Sequence, residues 1–251
     1  MAQPYFSLGP LTFHFYGIFV LLGLVSVFLY LKINSPRFKI NNQDAIQIFS
    51  VSLFLALLGA RMYHIISSLS YYLTHPQEIL KVWNGGLGIF GALLGGFLGI
   101  YIACKIKRVN FFYFLNLISP SILVAQAIGR IGNYFNQEGF GPPTFLPWGV
   151  YISPINRPFE YLNYSYFHPT FFYESLLCFC AFVFFLYLQK RKNINFGFAY
   201  YLVSYGLIRF LTESFRFDTW KIKQLHIGSF LSLIFIIGGV IIFSLANRKS
   251  S

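Results

Sequence analysis

Charged side chains inside apolar segments are the residues of this sequence best suited to chemistry. In the stretch RFLTESFR, Arg209 and Glu213 are four residues apart and Arg216 follows three later, so a helix would place all three on one face. Tyr205, four residues before Arg209, extends that face. A charged side chain at the centre of a membrane-spanning helix costs roughly 2.5–3.5 kcal/mol on insertion scales. Such residues therefore need a partner, a water-filled cavity or a charged ligand.

A second polar cluster is the stretch GRIGNYFNQEGFG, which begins at Gly129 directly after a long uncharged run. It brings Arg130, Asn133 and Glu138 close together in the chain, interleaved with glycines that permit turns and close backbone approach. Arginine suits phosphate because its planar guanidinium donates two hydrogen bonds at once. This stretch and the Arg209 face therefore predict a site for an anionic ligand.

Ion pairing between helices is the alternative explanation for these charges. Glu174 in HPTFFYES and Arg61 in GARMYHII also lie in apolar segments, and a pair between them would hold two helices together. Arg130 and Arg209 are two arginines more than ion pairing between helices requires. This excess of positive charge favours a bound anionic ligand over ion pairing alone.

The composition is typical of a polytopic membrane protein. Of 251 residues, 56% are hydrophobic, 21% are aromatic and only 10% are charged, whereas soluble domains carry about 25% charged residues. The net charge of +12 could attract nucleic acid, but the basic residues fall in short clusters between apolar runs, so we expect no nucleic-acid partner. The three cysteines lie in apolar stretches without a Cys-x-x-Cys spacing, so neither a disulfide framework nor a metal site is expected.

Apolar runs of about 20 residues predict the elements that must position the charges. Seven such runs predict membrane-spanning helices at residues 13–33, 45–68, 87–106, 111–130, 169–189, 196–213 and 227–246. We therefore expect an all-α polytopic membrane protein, with residues 1–251 forming a single integral domain.

Lysine and arginine predict the orientation, because cytoplasmic loops carry their excess. One side of the membrane would carry eleven: Lys32, Arg37, Lys39, Lys105, Lys107, Arg108, Lys190, Arg191, Lys192, Arg248 and Lys249. The other would carry six: Lys81, Arg130, Arg157, Arg216, Lys221 and Lys223. The first side, with the C-terminus, is expected in the cytoplasm. The N-terminus and the proline- and aromatic-rich segment 131–168 are expected outside, where that segment would form a cap between the fourth and fifth helices.

This orientation narrows the class of ligand. Arg130 and Arg209 both lie near the outward face of the predicted bundle. An anion bound there, in a cavity bounded by lipid, is most simply a phospholipid headgroup from the outer leaflet.

Several stretches together resemble the phosphatidylglycerol–prolipoprotein diacylglyceryl transferase family. GRIGNYFNQEGFG is similar to the family signature, and WNGGLGIFGALLGG to its glycine-rich third-helix block. GARMYHII, HPTFFYES, YGLIRFLTESFR and the early FYG match further blocks in the family's order, so that the resemblance covers nearly the whole chain. It implies a multi-pass protein of the bacterial cytoplasmic (inner) membrane.

The resemblance also implies a reaction. The diacylglyceryl group of phosphatidylglycerol would move to the lipobox cysteine of a prolipoprotein signal peptide, which forms a thioether and releases glycerol phosphate. Membrane lipid and prolipoprotein are thus the implied partners, and neither a metal nor an organic cofactor is implied.

Residue roles follow from the same resemblance. The implied catalytic residues are Arg130, Arg209, Glu138, Tyr205 and Glu213. The implied substrate-binding residues are Arg130, Asn133, Gly141, Tyr16 and Arg209.

The chain departs from the family pattern in the third-helix block. Many members have histidine where this chain has Phe90, which can neither accept a proton nor donate a hydrogen bond. The substrate thiol would then be activated by local positive potential or by Glu138, Glu213 or His64. Two other functions stay open at this point: a phospholipid transporter or scramblase, and an inactive lipid-binding relative.

Overall fold

Helices dominate the computed structural model, which describes residues 4–9, 11–191, 196–217, 221–222 and 225–248. The helices are α1 (Phe15–Asn34), α2 (Asn42–Ser67), α3 (Leu69–Thr74), α4 (Ile89–Lys107), α5 (Phe111–Asn136), α6 (Thr170–Arg191), α7 (Gly197–Glu213) and α8 (Ile227–Arg248). Three short antiparallel hairpins pair β1 (Tyr5–Leu8) with β2 (Leu11–His14), β3 (Val150–Tyr151) with β4 (Tyr166–Phe167), and β5 (Lys221–Ile222) with β6 (Leu225–His226). Of the basic residues counted above, Lys192, Lys223 and Lys249 lie outside the described ranges.

Six of the described helices are long and apolar enough to cross a membrane, which confirms the all-α polytopic class. They are Phe15–Phe38, Asn42–Ser67, Ile89–Lys107, Phe111–Asn136, Thr170–Lys190 and Ile227–Ala246. The predicted sixth span is a helix, α7, but it has only 17 residues and reaches about 25 Å at 1.5 Å per residue. Its last turn contains Arg209 and Glu213, and both side chains take part in ion pairs. A count of seven spans therefore stays a prediction.

Apolar side chains on the outer surfaces of the helices are widely exposed. In α8, for example, Phe230 and Ile237 retain 63% and 58% of their accessible surface. Such surfaces are costly in water but are well solvated by lipid hydrocarbon. The exposure pattern therefore agrees with a chain embedded in a bilayer.

The chain divides into two compact units, one formed by Met1–Tyr30 with Asn116–Ser251 and the other by Leu31–Leu115. In the second unit, α2 and α4 pack with their backbones nearly in contact. A Cβ placed on Gly95 would lie 2.1 Å from the carbonyl oxygen of Leu55, and one on Gly91 would lie 2.1 Å from that of Gly59. Small residues at four-residue spacing allow this approach in membrane helices, and the Ser52 hydroxyl adds a 2.9 Å hydrogen bond to the carbonyl of Gly96.

We expect Gly95→Ala to lower the thermal stability of the protein, because the added Cβ must push two helix backbones apart. Overpacking of this kind costs about 1–3 kcal/mol. Gly96→Ala is the matched control, because its Cβ would meet Ala56 Cβ at an ordinary 3.5 Å and alanine is the better helix former. Thermal unfolding of both variants in detergent tests the pair. Equal melting temperatures would contradict the close-packing role.

In the first unit, α5 continues six residues beyond the end predicted at residue 130. Its last turns pack against α1, where Phe135 stacks on Phe15 at 4.6 Å and on Phe19 at 5.6 Å between ring centroids. Gly132 permits this approach, because a Cβ there would lie 3.1 Å from Cδ2 of Tyr16. Arg130 therefore lies within the helix and not in a loop after it.

Candidate active site

A single buried carboxylate organises the charged residues of the first unit. Glu174, in the second turn of α6, is fully buried and forms ion pairs with three arginines from other segments. Its Oε1 lies 2.8 Å from Nη2 of Arg130 on α5. Its Oε2 lies 3.6 Å from Nη1 of Arg209 on α7 and 3.5 Å from Nη1 of Arg216, just after α7. Three guanidinium groups thus converge on one point.

A second buried carboxylate joins this arginine cluster. The Oε2 atom of Glu213 lies 2.7 Å from Nη2 of Arg209, four residues earlier on the same helix, and only 1% of the Glu213 side chain is exposed. The carboxylate lies against the first turn of α8, where a Cβ on Gly228 would approach it to 2.1 Å. Among the described residues, the arginine cluster therefore consists of three arginines and two glutamates: Arg130, Arg209, Arg216, Glu174 and Glu213.

The arginines of the cluster are partly exposed, whereas its carboxylates are buried. The side chains of Arg130 and Arg209 are 23% and 21% exposed, whereas those of Glu174 and Glu213 are 1% exposed. Within the described part of the chain, the buried Nη1 atom of Arg209 has no hydrogen-bond acceptor, because Oε2 of Glu174 is too far away at 3.6 Å. An incoming anion would meet the partly exposed guanidinium groups of Arg130 and Arg209 and not the carboxylates.

Tyr205 lies at the same point, as the helical spacing predicts. Its hydroxyl donates to Oε1 of Glu174 at 3.4 Å and lies close to the Arg130 guanidinium. The ring stacks nearly parallel on Tyr201, with centroids 5.8 Å apart, and Gln126 on α5 donates to the Tyr201 hydroxyl at 3.2 Å. These contacts hold this face of α7 against Gln126 of α5 and Glu174 of α6.

A small apolar cluster holds the three helices together beneath the charges. Ala127, Cys178 and Ile208 pack as one buried group from α5, α6 and α7, with Tyr205 against it. The Ser175 hydroxyl donates to the carbonyl of Ala127 at 2.7 Å. Arg130, Glu174 and Arg209 lie within four residues of these contacts in the chain, which makes the ionic cluster a rigid feature of the bundle.

The glycines of GRIGNYFNQEGFG bring the end of α5 onto this cluster. Gly139 has a left-handed φ of 68°, which glycine adopts without steric cost. A Cβ there would lie 3.0 Å from Nδ2 of Asn133 and 3.6 Å from Nη2 of Arg216. Asn133 is buried, and its carbonyl accepts the amide of Glu138 at 3.1 Å. The signature therefore places Asn133 beside the third arginine.

Gly141 occupies a crossing of three chain segments. Its amide donates to the carbonyl of His168 at 2.8 Å, just before α6. A Cβ there would lie 2.4 Å from the carbonyl oxygen of Phe215 and 2.5 Å from Oγ1 of Thr170. The role inferred from the sequence, substrate binding, stays a prediction, whereas the observed contacts are those of close backbone packing.

Two of the predicted site residues lie outside the ionic cluster. Glu138 is exposed, and its Oε1 accepts a 3.2 Å hydrogen bond from Nδ2 of Asn136. Tyr16 is 38% exposed and packs against Gly132 near the end of α5. Both side chains are exposed and could contact a substrate. Their roles in catalysis and substrate binding stay predictions.

The segment after α5 folds as a compact cap with its own core. Phe140, Ile152, Phe167 and Phe171 form a buried cluster, and β3 pairs with β4 at its edge. Trp148 donates to the Tyr173 hydroxyl at 2.9 Å, and the same hydroxyl lies 3.1 Å from Nδ1 of His168. The cap is therefore fastened to the first turn of α6, close in sequence to Glu174.

The second unit contains the other charged residue singled out from the sequence. The Arg61 guanidinium is bound by backbone carbonyls of its own unit, among them those of Ile79 at 2.8 Å and Gly85 at 2.7 Å. Arg61 thus has hydrogen-bond partners within the second unit, and Glu174 has its ion pairs within the first. Phe90 packs its ring 5.9 Å from that of Tyr63.

Sequence reasoning overlooked two members of the cluster as site residues, Glu174 and Arg216. A signal for both existed. Glu174 is an acid inside an apolar run, and Arg216 lies on the helical face of Arg209 and Glu213. In the described residues there is no group of three or more His, Cys, Asp or Glu side chains placed to hold a metal ion.

A family model described as prolipoprotein diacylglyceryl transferase matches residues 3–245. The chain belongs to this family. A phosphatidylglycerol–prolipoprotein diacylglyceryl transferase of Nostoc is 38% identical over 239 residues, which cover 90% of this chain and 83% of that protein. The protein of the same name from Streptococcus pneumoniae is 37% identical over 253 residues, which cover 98% of this chain and 94% of that protein.

The match confirms the resemblance stated from the sequence and the expectation of a transferase. A third relative, from Cutibacterium acnes, bears the same name and is 34% identical over 97% of this chain. Every residue of the arginine cluster lies within the matched range. The cluster is therefore part of the region shared with the diacylglyceryl transferases and not an addition to it.

Proposed function

We propose that the protein transfers the diacylglyceryl group of phosphatidylglycerol to the lipobox cysteine of prolipoprotein signal peptides. The cysteine sulfur forms a bond to C3 of the glycerol that carries the acyl chains, and the bond from that carbon to the phosphate oxygen breaks. The products are a thioether-linked lipopeptide and glycerol phosphate. The observation that carries the proposal is the convergence of Arg130, Arg209 and Arg216 at one buried point in a chain of this family.

The arginines can bind the phosphodiester of the substrate and can also stabilise the phosphate group that leaves. Phosphatidylglycerol carries its single charge on a phosphodiester, which guanidinium groups recognise through paired hydrogen bonds. As the carbon–oxygen bond breaks, negative charge grows on the phosphate oxygens. Fixed donors aimed at that charge lower the barrier, and the partly exposed side chains of Arg130 and Arg209 are the donors that we assign to this role.

The other predicted residues take supporting roles in this proposal. Tyr205 holds Glu174 and so the arginines, while Asn133 and Gly141 shape the wall beside Arg216. Glu213 orients Arg209. We assign Tyr16 to contact the headgroup, because it is 38% exposed and packs against Gly132, two residues after Arg130 on α5.

The nucleophile belongs to the peptide, so no cysteine of the enzyme is required. A thiol with a pKa near 8.5 is only partly ionised at neutral pH, and the positive cluster favours the thiolate. Glu138 is the group we assign to accept the proton, because it is exposed whereas Glu213 is buried in an ion pair. Phe90 need not be replaced by a titratable residue in this scheme.

We further propose the orientation of the protein in a bacterial cytoplasmic membrane. The N-terminus, the cap at residues 131–168 and the arginine cluster face the outer leaflet, and the C-terminus lies in the cytoplasm. The asymmetry of lysine and arginine supports this arrangement. Both compact units are assigned to one integral domain, residues 1–251, because the family match runs through them.

A transfer assay tests the function. Purified protein is mixed with phosphatidylglycerol vesicles and a peptide that contains a lipobox cysteine, and the peptide mass is followed. We expect a gain of one diacylglyceryl group, and none with a peptide whose cysteine is replaced by serine. Lipid binding without a mass gain would indicate an inactive lipid-binding relative. Movement of labelled lipid between leaflets without a mass gain would indicate a transporter.

A further inference from the structure

A turn with two left-handed residues follows α5 and carries Glu138. Gln137, just before Glu138, has a φ of 53°, and Gly139, just after it, has a φ of 68°. Glycine adopts this conformation without steric cost, whereas a residue with a Cβ rarely adopts it unless other contacts hold it there. Gln137 therefore needs such a contact, and its own side chain provides one.

The Gln137 side chain fastens this turn to the cap. Its Oε1 accepts the backbone amide of Ser153 at 2.7 Å and Nδ2 of Asn156 at 3.2 Å. Ser153 directly follows Ile152, which belongs to the buried core of the cap, so the turn is tied to a well-packed part of the chain. Both partners are donors, so the position requires an acceptor oxygen at the end of a side chain of this length.

Further contacts of the turn fix the direction of Glu138. Its amide donates to the carbonyl of Asn133 at 3.1 Å, and its Oε1 accepts Nδ2 of Asn136 at 3.2 Å. The Glu138 carboxylate and the Arg130 guanidinium both act electrostatically on the Tyr16 hydroxyl. The turn therefore holds an exposed carboxylate on the same region of the molecule as Arg130, one of the arginines assigned to the phosphate.

We propose that Gln137 is a positioning residue for proton transfer, because it fastens the turn to the cap and so holds Glu138 where this carboxylate accepts the proton of the substrate thiol. The inference rests on the proposed function, in which Glu138 takes that proton. The proton moves from the cysteine sulfur to a carboxylate oxygen, and the sulfur then bonds to C3 of the glycerol. The phosphate oxygen leaves with the electron pair of the broken bond. Gln137 itself acts only through Glu138.

Gln137→Asn separates the side-chain contact from the backbone conformation. Asparagine adopts the left-handed region more readily than most residues, but its side chain is one methylene shorter and falls short of Ser153. We expect kcat/KM for the lipobox peptide at pH 7 to fall by about tenfold or more, because proton transfer needs a well-placed acceptor. Gln137→Glu keeps the length and offers an oxygen that can accept from both donors, so it should recover most of the rate.

The pH profile distinguishes a role in proton transfer from a purely structural one. A thiol with a pKa near 8.5 ionises without help at high pH, so a misplaced acceptor matters less there. The deficit of Gln137→Asn should therefore shrink from about tenfold at pH 7 to about twofold or less near pH 9.5. Glu138→Gln should show the same dependence with a larger deficit, about 100-fold at pH 7. Adding Gln137→Asn to Glu138→Gln should cost little more, because both act on one step.

Two further variants support this comparison. Asn156→Ala removes only the longer of the two hydrogen bonds, from an exposed side chain, and leaves the turn itself unchanged. It should show a smaller deficit with the same dependence on pH, and it keeps the test available if thermal unfolding shows that Gln137→Asn is not folded. Gln77→Asn is the matched control, because it is the same substitution on an exposed residue of the other compact unit, and it should keep the wild-type rate.

A wild-type rate in folded Gln137→Asn would overturn the inference. So would a deficit that stays constant between pH 7 and pH 9.5, or one that adds in full to that of Glu138→Gln, since either would indicate a structural role alone. A deficit of Glu138→Gln that does not change with pH would remove Glu138 as the acceptor and the inference with it. In each of these cases the wild-type enzyme still adds mass to the peptide, whereas the absence of that gain would be a failure of the proposed function.

Discussion

Arg130→Ala and Arg209→Ala should each reduce diacylglyceryl transfer by at least about 100-fold, the loss typical when one fixed donor to a developing oxyanion is removed. Each substitution also removes one positive charge from the cluster and leaves Glu174 with one fewer partner. The phosphodiester then loses both the hydrogen bonds and the positive charge of one guanidinium group. The rate of mass gain on the lipobox peptide measures the effect, with thermal unfolding as the check that each variant is folded.

Arg209→Lys separates charge from geometry in this prediction. Lysine keeps the positive charge but lacks the planar fork that can contact Glu174, Glu213 and a phosphate together. We expect its activity to lie between those of the wild type and Arg209→Ala. Arg37→Ala, on an exposed residue of the other compact unit, is the control for loss of an arginine elsewhere. Near-normal turnover in folded Arg130→Ala or Arg209→Ala would refute the leaving-group role.

The helical part of the site was predictable from spacing within the sequence. Arg209 and Glu213, four residues apart, do form an ion pair, and Tyr205 does share their face, since its hydroxyl reaches Glu174. These contacts depend on local geometry that every α-helix shares. The length of the apolar runs likewise predicted the helical class and most helix positions.

The centre of the cluster was not predictable in the same way. Glu174 meets Arg130 and Arg216, which are 44 residues before it and 42 after it in the sequence. Such contacts depend on how α5, α6 and α7 pack, for which a single sequence carries no direct signal. An isolated acid in an apolar run indicates that a partner is needed but does not say which arginine supplies it.

The sequence placed the end of α5 too early, because packing against α1 extends the helix beyond the apolar run. The charge on Arg130 suggested that α5 ends there, yet the helix continues to Asn136 because Phe135 stacks against α1 and Gly132 allows the approach. A polar residue inside a membrane helix is therefore a better guide to a site than to a boundary.

A substitution at Gly141, where the backbone packs against Phe215 and His168, is the second change for which we expect a large effect. Gly141→Ala should lower the transfer rate by about tenfold or more, because its Cβ would overlap the carbonyl oxygen of Phe215, 2.4 Å away. A backbone atom cannot rotate aside as a side chain can, so the segment that carries Arg216 must shift. Displacement of a positioning group by even about 1 Å can cost on the order of 100-fold in rate. We also expect a melting temperature lowered by several degrees, since overpacking costs about 1–3 kcal/mol.

Gly129→Ala is the matched control, since it lies in the same signature but its Cβ would meet nothing within 4 Å. It should keep the wild-type melting temperature or exceed it slightly, because alanine favours the helix by about 1 kcal/mol. Binding of the lipid headgroup is a further measurement. In Gly141→Ala, glycerophosphoglycerol, the deacylated headgroup of phosphatidylglycerol, should bind more weakly than to the wild type, because the segment that carries Arg216 has shifted. Wild-type stability with selective loss of lipid binding would instead support direct contact between Gly141 and the substrate.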